Sequence, residues 1–338
     1  MASPAVHQRP KRGVAATTAT LALASAGVAT VLIPPTALAA DRAETTGNAT
    51  LGATITPSTV DPRHWRRGTS GRPASAQGRT RAATEDLATL RVLVRDRLGA
   101  APSTERASYA LAFDLASGDL TVVALTDGEG TAQVAAGSYL VQSFVETVEH
   151  AGMSLSMPMD TLVTVDGSAS AVLDARDTAR VGASVDRPDA RLVAGTVQVT
   201  RSTPGQEIWY AADFDYPAGL YVKPTGPVEG LDLNVYAALS QNGSRTSPYL
   251  YHLTFEAADG IPDRPQFTAR SRELAAVSIR INGQNAGGCG RIGARGRDPE
   301  LPAGFGASVT VGAVPGSYQA YFTPGTEIQW TPSAEILP

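Results

Sequence analysis

Four aromatic side chains crowd one short stretch of the chain: Trp209, Tyr210, Tyr216 and Tyr221, with Phe214 among them. Exposed aromatic rings stack on sugar faces or grip an extended peptide, which makes this stretch the leading binding candidate. Core packing is the competing reading, since alternating aromatics also fill the inside of a β-sandwich. Trp209 and Tyr210 are neighbours, so in a strand they face opposite ways and one of them is a candidate for exposure.

Two carboxylate pairs have the composition of an oxygen-rich cation loop. Asp213 and Asp215 flank Phe214, and Asp186 and Asp189 bracket Arg187-Pro188. Calcium favours such loops, but neither pair has the spacing of a known calcium loop, and turn chemistry explains both. No cofactor or metal is expected, with structural calcium left open. The histidines are His7, His64, His150 and His252, and no two stand at His-x-x-x-His or His-Glu-x-x-His spacing, so zinc has little support.

Nucleophile systems fare no better. A subtilisin-like centre needs an acid, a base and a serine held in fixed geometry. Gly68-Thr69-Ser70 follows His64, but in an arginine-rich segment with no core around it. There is no Gly-x-Ser-x-Gly elbow, and Ser-x-x-Lys is excluded because neither Lys11 nor Lys223 has a serine three residues before it. Cys289, the only cysteine, sits in Gly287-Gly288-Cys289-Gly290, which reads as a loop; no intramolecular disulfide is possible. Asp174 and Arg176 end an apolar run and are expected to pair with neighbours or face water. Nothing places two carboxylates across a glycosidase cleft. The chain therefore reads as a non-enzyme.

The elements that carry these residues follow a secretory plan. Arg9, Lys11 and Arg12 precede the uncharged Val14–Ile33, and Ala37-Leu38-Ala39-Ala40 supplies small residues before Asp41. That order predicts a signal peptide over residues 1–40, with an uncleaved anchor as the alternative. Residues 41–85 read as a disordered arginine-rich linker, a tether that could touch anionic wall polymer or lipid. The net charge of −4 gives no pull toward nucleic acid. Only two of the 28 basic residues are lysine, a bias that fits a high-GC, actinobacterial genome rather than a function.

From Leu87 the pattern has period two. Leu90, Val92 and Val94 alternate with Arg91, Leu93 and Arg95. Strands are expected at Tyr109–Leu115, Leu120–Leu125, Thr131–Val134, Tyr139–Val148, Thr161–Val165 and Ala169–Asp174, with turns at Ser117-Gly118-Asp119 and Asp127-Gly128-Glu129-Gly130. A second block has longer strands, among them Arg191–Thr200, Glu207–Ala212, Leu231–Leu239, Tyr249–Glu256, Leu274–Ile281, Ser308–Val311 and Ser317–Phe322. Asn282-Gly283 predicts a hairpin turn after Ile281. The fold expected is all-β, with two antiparallel β-sandwich domains at 86–178 and 179–338.

Val134-Ala135-Ala136-Gly137-Ser138-Tyr139-Leu140-Val141 resembles the Gly-x-Tyr strand of prealbumin-like, carboxypeptidase-regulatory-like domains. The strings Ala171–Arg176 and Arg272–Val277, and Pro315–Phe322 with Trp330, are similar to the non-catalytic C-terminal region of large secreted actinobacterial subtilisin-like peptidases. The resemblance covers about residues 87–335. It implies a prealbumin-like first domain, a jelly-roll-like second one, and an accessory module for adhesion, substrate engagement or stabilisation outside the cell. Expected partners are an extracellular protein or polysaccharide, and a secreted peptidase; a membrane is met only during export. A carbohydrate-binding surface protein using Trp209–Tyr221 and a peptidase remnant lacking its catalytic domain are the alternatives.

Overall fold

The computed structural model describes residues 87–102, 109–204, 206–214, 216–282, 288–298, 301–325 and 328–337. The expected signal peptide, the linker, His7, His64, Gly68-Thr69-Ser70, Asp215 and Gly283 lie outside them. Among the described residues the only helical pieces are the short turns Ala175–Asp177 and Ser271–Glu273, and no helix is long and apolar enough to cross a membrane. The chain is all-β.

Strict alternation makes the first strands. In β1 (Ala88–Arg95) Ala88, Leu90, Val92 and Val94 are buried while the residues between them look outward. β2 (Tyr109–Asp114), β3 (Leu120–Ala124), β4 (Glu129–Val134) and β5 (Gly137–Ser143) follow at the expected places. The turn into β4 uses Asp127 and Gly128, both at positive φ (51° and 78°), and a side chain at 128 would strike the Val94 carbonyl. β6 (Val145–Glu149), β7 (Gly152–Met157), β8 (Met159–Val165) and β9 (Ser168–Asp174) complete this region.

Two sheets form a first sandwich. The outer sheet has the order β4-β1-β9, and the second sheet β3-β2-β5-β8. Leu90, Val92, Val123, Val141, Val165 and Leu173 fill the space between them. Tyr139 of the Gly-x-Tyr string points into this core, and its hydroxyl donates to the Ala135 carbonyl at 2.8 Å.

The expected continuous strand Tyr139–Val148 is broken at Phe144. β5 stays in the second sheet, whereas β6 leaves it and forms a hairpin with β7. That hairpin joins β10 (Ala179–Arg180) and β14 (Gly219–Val222) in a bridging sheet ordered β10-β14-β7-β6. β7 pairs with β14 in parallel, so a hairpin from the first block is completed by strands of the second.

Between β10 and β14 the chain makes β11 (Gly182–Val185), β12 (Ala190–Thr203) and β13 (Gln206–Asp213). After β15 (Gly226–Pro227) come β16 (Leu231–Gln241), β17 (Tyr249–Ala257), β18 (Gly260–Ile261), β19 (Gln266–Ala269) and β20 (Ala275–Ile281). The last strands are β21 (Gly288–Asp298), β22 (Leu301–Val314), β23 (Gly316–Phe322) and β24 (Gln329–Leu337). A central sheet of six strands runs β13-β12-β16-β17-β23-β20, and a cover sheet runs β22-β21-β24. The sheets are mainly antiparallel; β1 with β9, β7 with β14, β11 with β19 and β17 with β23 are parallel.

Central and cover sheets make the second sandwich, with Tyr236, Ile292, Phe305 and Val311 between them. The other face of the central sheet packs on the first sandwich. Leu111, Phe113 and Leu140 turn away from their own sandwich and meet Val199, Tyr210 and Leu233 in one shared cluster. The second sheet is thereby buried on both faces, which explains the unbroken burial of Ala110–Phe113. β20 and β21 belong to different sheets, so Ile281 does not lead into a hairpin as expected.

Candidate functional site

The aromatic candidates are divided rather than gathered. Tyr210 is 1% exposed and lies in the shared core, stacked on Phe113 at 6.5 Å between ring centres, with its hydroxyl on Met159 Sδ at 3.2 Å. Burial pushes the Tyr210 phenol far above its usual range. Trp209, 7% exposed, takes the opposite face with Gln198 and Thr200, and its indole N–H is buried without an acceptor. Neither ring presents a surface for stacking on a ligand.

Tyr216 and Tyr221 are half-buried and tie the two blocks together. The Tyr216 hydroxyl donates to Glu146 Oε1 at 3.0 Å. The Tyr221 hydroxyl donates to the Ala218 carbonyl at 3.1 Å, and its ring is covered by the Arg97 guanidinium at 3.6 Å. Arg97 in turn donates from Nε to Glu149 Oε1 at 2.8 Å, where the Ser154 hydroxyl also donates at 2.6 Å. The Ser154 hydrogen bond, helped by Arg97, holds the Glu149 carboxyl below its usual range against the opposing effect of burial. The junction is a structural clasp with its valences satisfied.

The carboxylate candidates are engaged by protein donors, and mostly by donors far along the chain rather than in their own turns as expected. Asp186 Oδ1 accepts from the Ser271 amide at 2.9 Å and its hydroxyl at 2.5 Å, which lowers its pKa. Asp189 accepts from Arg187 at 3.0 Å and Gln241 at 3.2 Å. Asp213 accepts from Thr196 at 2.9 Å. Asp174 holds Arg176 in a pair at 2.5 Å. Among the described residues no group of three or more histidines, cysteines or carboxylates lies close enough to hold a metal ion.

Cys289 is in β21 rather than a loop, half-buried and a free thiol. His150 is exposed, whereas His252 is wholly buried. His252 Nδ1 shares a hydrogen bond with the Tyr236 hydroxyl at 2.9 Å, Nε2 has no partner, and Phe322 stacks on the ring at 5.1 Å. Burial lowers its pKa to about 3, which keeps it neutral and removes it from proton transfer near neutral pH.

One surface hollow combines access with convergent polar groups. Thr89, Arg91, Thr131, Ser168, Ala169 and Ser170 line an open groove of about 420 Å³ on the outer sheet. The register explains it: Thr89 stands beside Ser168 and Gln133, and Arg91 beside Ser170 and Thr131. Because β1 buries its even-numbered residues, these odd-numbered side chains must point to water. Glu129 accepts from Arg91 at 2.7 Å, and Gln133 donates to Thr89 at 3.0 Å. Arg91 lowers the Glu129 pKa by hydrogen bond and charge. The groove is shallow, almost uncharged in sum, and rich in hydroxyls. Alternation in the sequence marks Arg91 as outward, but the partner strands that complete the groove lie about forty and eighty residues away.

No family model matches the chain, and no curated protein matches it. Among solved structures it is similar to a DUF3823 family protein from Parabacteroides merdae, at 13% identity and a TM-score of 0.20, covering 46% of this chain and 92% of that one. It is also similar to the Bacillus anthracis TIE protein at 8% identity and a TM-score of 0.19; 74% of this chain matches 48% of that one. A Streptococcal ancillary pilin matches at 11% identity and a TM-score of 0.17, over 75% and 96%.

Proposed function

We propose that the protein is a non-catalytic extracellular binding module whose outer sheet engages a neutral polysaccharide. The observation that carries this reading is the groove of Thr89, Thr131, Ser168 and Ser170 around Arg91, set on a sheet whose other face is fully packed. Hydroxyls both donate and accept, and Arg91 adds a fixed planar donor, the combination that matches sugar hydroxyls. A rigid sheet holds these groups at set spacing, so little order is lost on binding. Export rests on the segment Arg9–Asp41, and the peptidase-tail kinship on the strings Ala171–Arg176, Arg272–Val277 and Pro315–Phe322. A truncated subtilisin-like gene beside this one would support that kinship.

The binding test is retention on a panel of insoluble polysaccharides. Arg91→Ala and Thr131→Val are expected to abolish retention while leaving the unfolding midpoint unchanged. Equal retention of wild type and both variants would sink the groove, and loss of retention in Trp209→Phe alone would restore the aromatic alternative.

A further inference from the structure

Among the described residues the second sandwich is open along one edge. β20 ends the central sheet and β24 ends the cover sheet, and the two lie side by side. Register fixes which residues look inward. Val277 and Ile279 stand opposite Ala320 and Tyr318, both buried in the interior. Ala334 and Ile336 stand opposite Ile292 and Gly290, which face the same interior. Inward-facing positions of a closed sandwich are dry. Here Val277 is 38% exposed and Ile336 53% exposed, and Ala275 and Ala334 are exposed as well.

An exposed strand edge is normally guarded by proline, charge or a bulge. β24 carries Pro332 and Glu335, and β13, the opposite edge of the central sheet, carries Glu207 and Asp213. β20 reads Ala-Ala-Val-Ser-Ile-Arg-Ile, pairs with β23 without a bulge, and has Arg280 as its one charge.

We propose that β20 is a self-association edge, which a second copy of this chain extends by antiparallel pairing about a twofold axis at Ser278. The sequence is self-complementary in that register. Val277 meets the partner copy's Ile279, Arg280 lies over the small Ala276, and Ala275 meets Ile281. The two Arg280 side chains stay about 13 Å apart along the strands. Val277 and Ile279 of both copies then continue the apolar interior across the axis and shield Ile336. Twofold pairing uses the same edge on both copies, so the assembly closes at a dimer.

Two measurements on the full chain test this. Sedimentation is expected to show a dimer at about 100 μM, in the range where a micromolar interface is filled, and Val277→Lys is expected to give a monomer with the wild-type circular dichroism. In a Cys289→Ser background, Ser278→Cys is expected to form a disulfide-linked dimer on mild oxidation, since directly opposed strand residues lie within disulfide reach. Ala276→Cys in the same background is expected to stay unlinked. A wild-type monomer at that concentration would overturn the proposal, as would assemblies larger than a dimer or equal cross-linking at 276 and 278.

Discussion

The two faces of the central sheet are closed in different ways. On one face Val199, Tyr210 and Leu233 meet Leu111, Phe113 and Leu140 of the second sheet, and the seam is sealed by the β6–β7 hairpin. On the other face Tyr236, His252 and Phe322 pack against Trp330 of the cover sheet as an aromatic cluster, with a histidine nitrogen left without a partner and one edge open. The first interface holds two sandwiches together as one body. The second tolerates an unsatisfied polar group and exposed apolar residues, the features that make an interface sensitive to pH and to a neighbouring molecule.

The sharpest way to break the contrast is to empty the sealed face. Tyr210→Ala removes a ring that touches both sandwiches and is expected to cost about 3–5 kcal/mol. Because the cluster crosses from residue 111 to residue 261, both sandwiches are expected to lose stability in a single urea transition. Two separated transitions in the wild type would show that the shared cluster does not couple them.

On the aromatic face the expected lever is acidity. Folded His252 titrates at about 3, whereas a free histidine titrates near 6.5. Below about pH 6.5 the unfolded chain takes up a proton that the folded chain refuses, so stability is full above that value and falls until about pH 3. Between pH 7 and pH 5 the loss is about 2 kcal/mol, in a window above most carboxylate titrations. Urea midpoints at the two pH values measure it, and His252→Leu is expected to flatten the difference. An equal slope in that variant would assign the pH dependence elsewhere.

How far the sequence reveals this architecture depends on the range of the interaction. Period-two burial in β1 and the positive-φ turn at Asp127-Gly128 are local, and both are legible. The break at Phe144 is not, because β6 leaves its sheet to pair with β7, whose other side is paired by β14, some seventy residues away. β7, β21 and β24 escape the same reading: Gly288–Asp298 is rich in glycine and arginine, and only pairing on both sides makes it a strand. The aromatic stretch shows the limit for sites. Alternation separates Trp209 from Tyr210 correctly, but not which layers wait on either side. The first sandwich covers one of those faces, so Tyr210 meets Phe113.

A smaller effect is expected at the clasp between the two blocks. Arg97 covers Tyr221 at 3.6 Å and pairs with Glu149 at 2.8 Å, with both charged side chains largely buried. A double-mutant cycle of Arg97→Met and Tyr221→Leu is expected to return a coupling of about 1 kcal/mol. Zero coupling would leave the Tyr216–Glu146 hydrogen bond as the tie between the blocks at this junction.

The smallest effect is expected at Trp209, and its direction separates packing from binding. The indole fills space on the face of Gln198 and Thr200, but its N–H is buried without an acceptor. Trp209→Phe therefore loses apolar contact while relieving an unsatisfied donor, and the two terms oppose each other. The net change in unfolding free energy is expected to stay within about 1 kcal/mol. Polysaccharide retention is expected to be unchanged, because the groove around Arg91 is built on β1, β4 and β9, outside the sheet that holds Trp209. A large loss of stability would mean that the N–H has a partner supplied by water, and a loss of retention at unchanged stability would move the binding surface from the outer sheet to the central one.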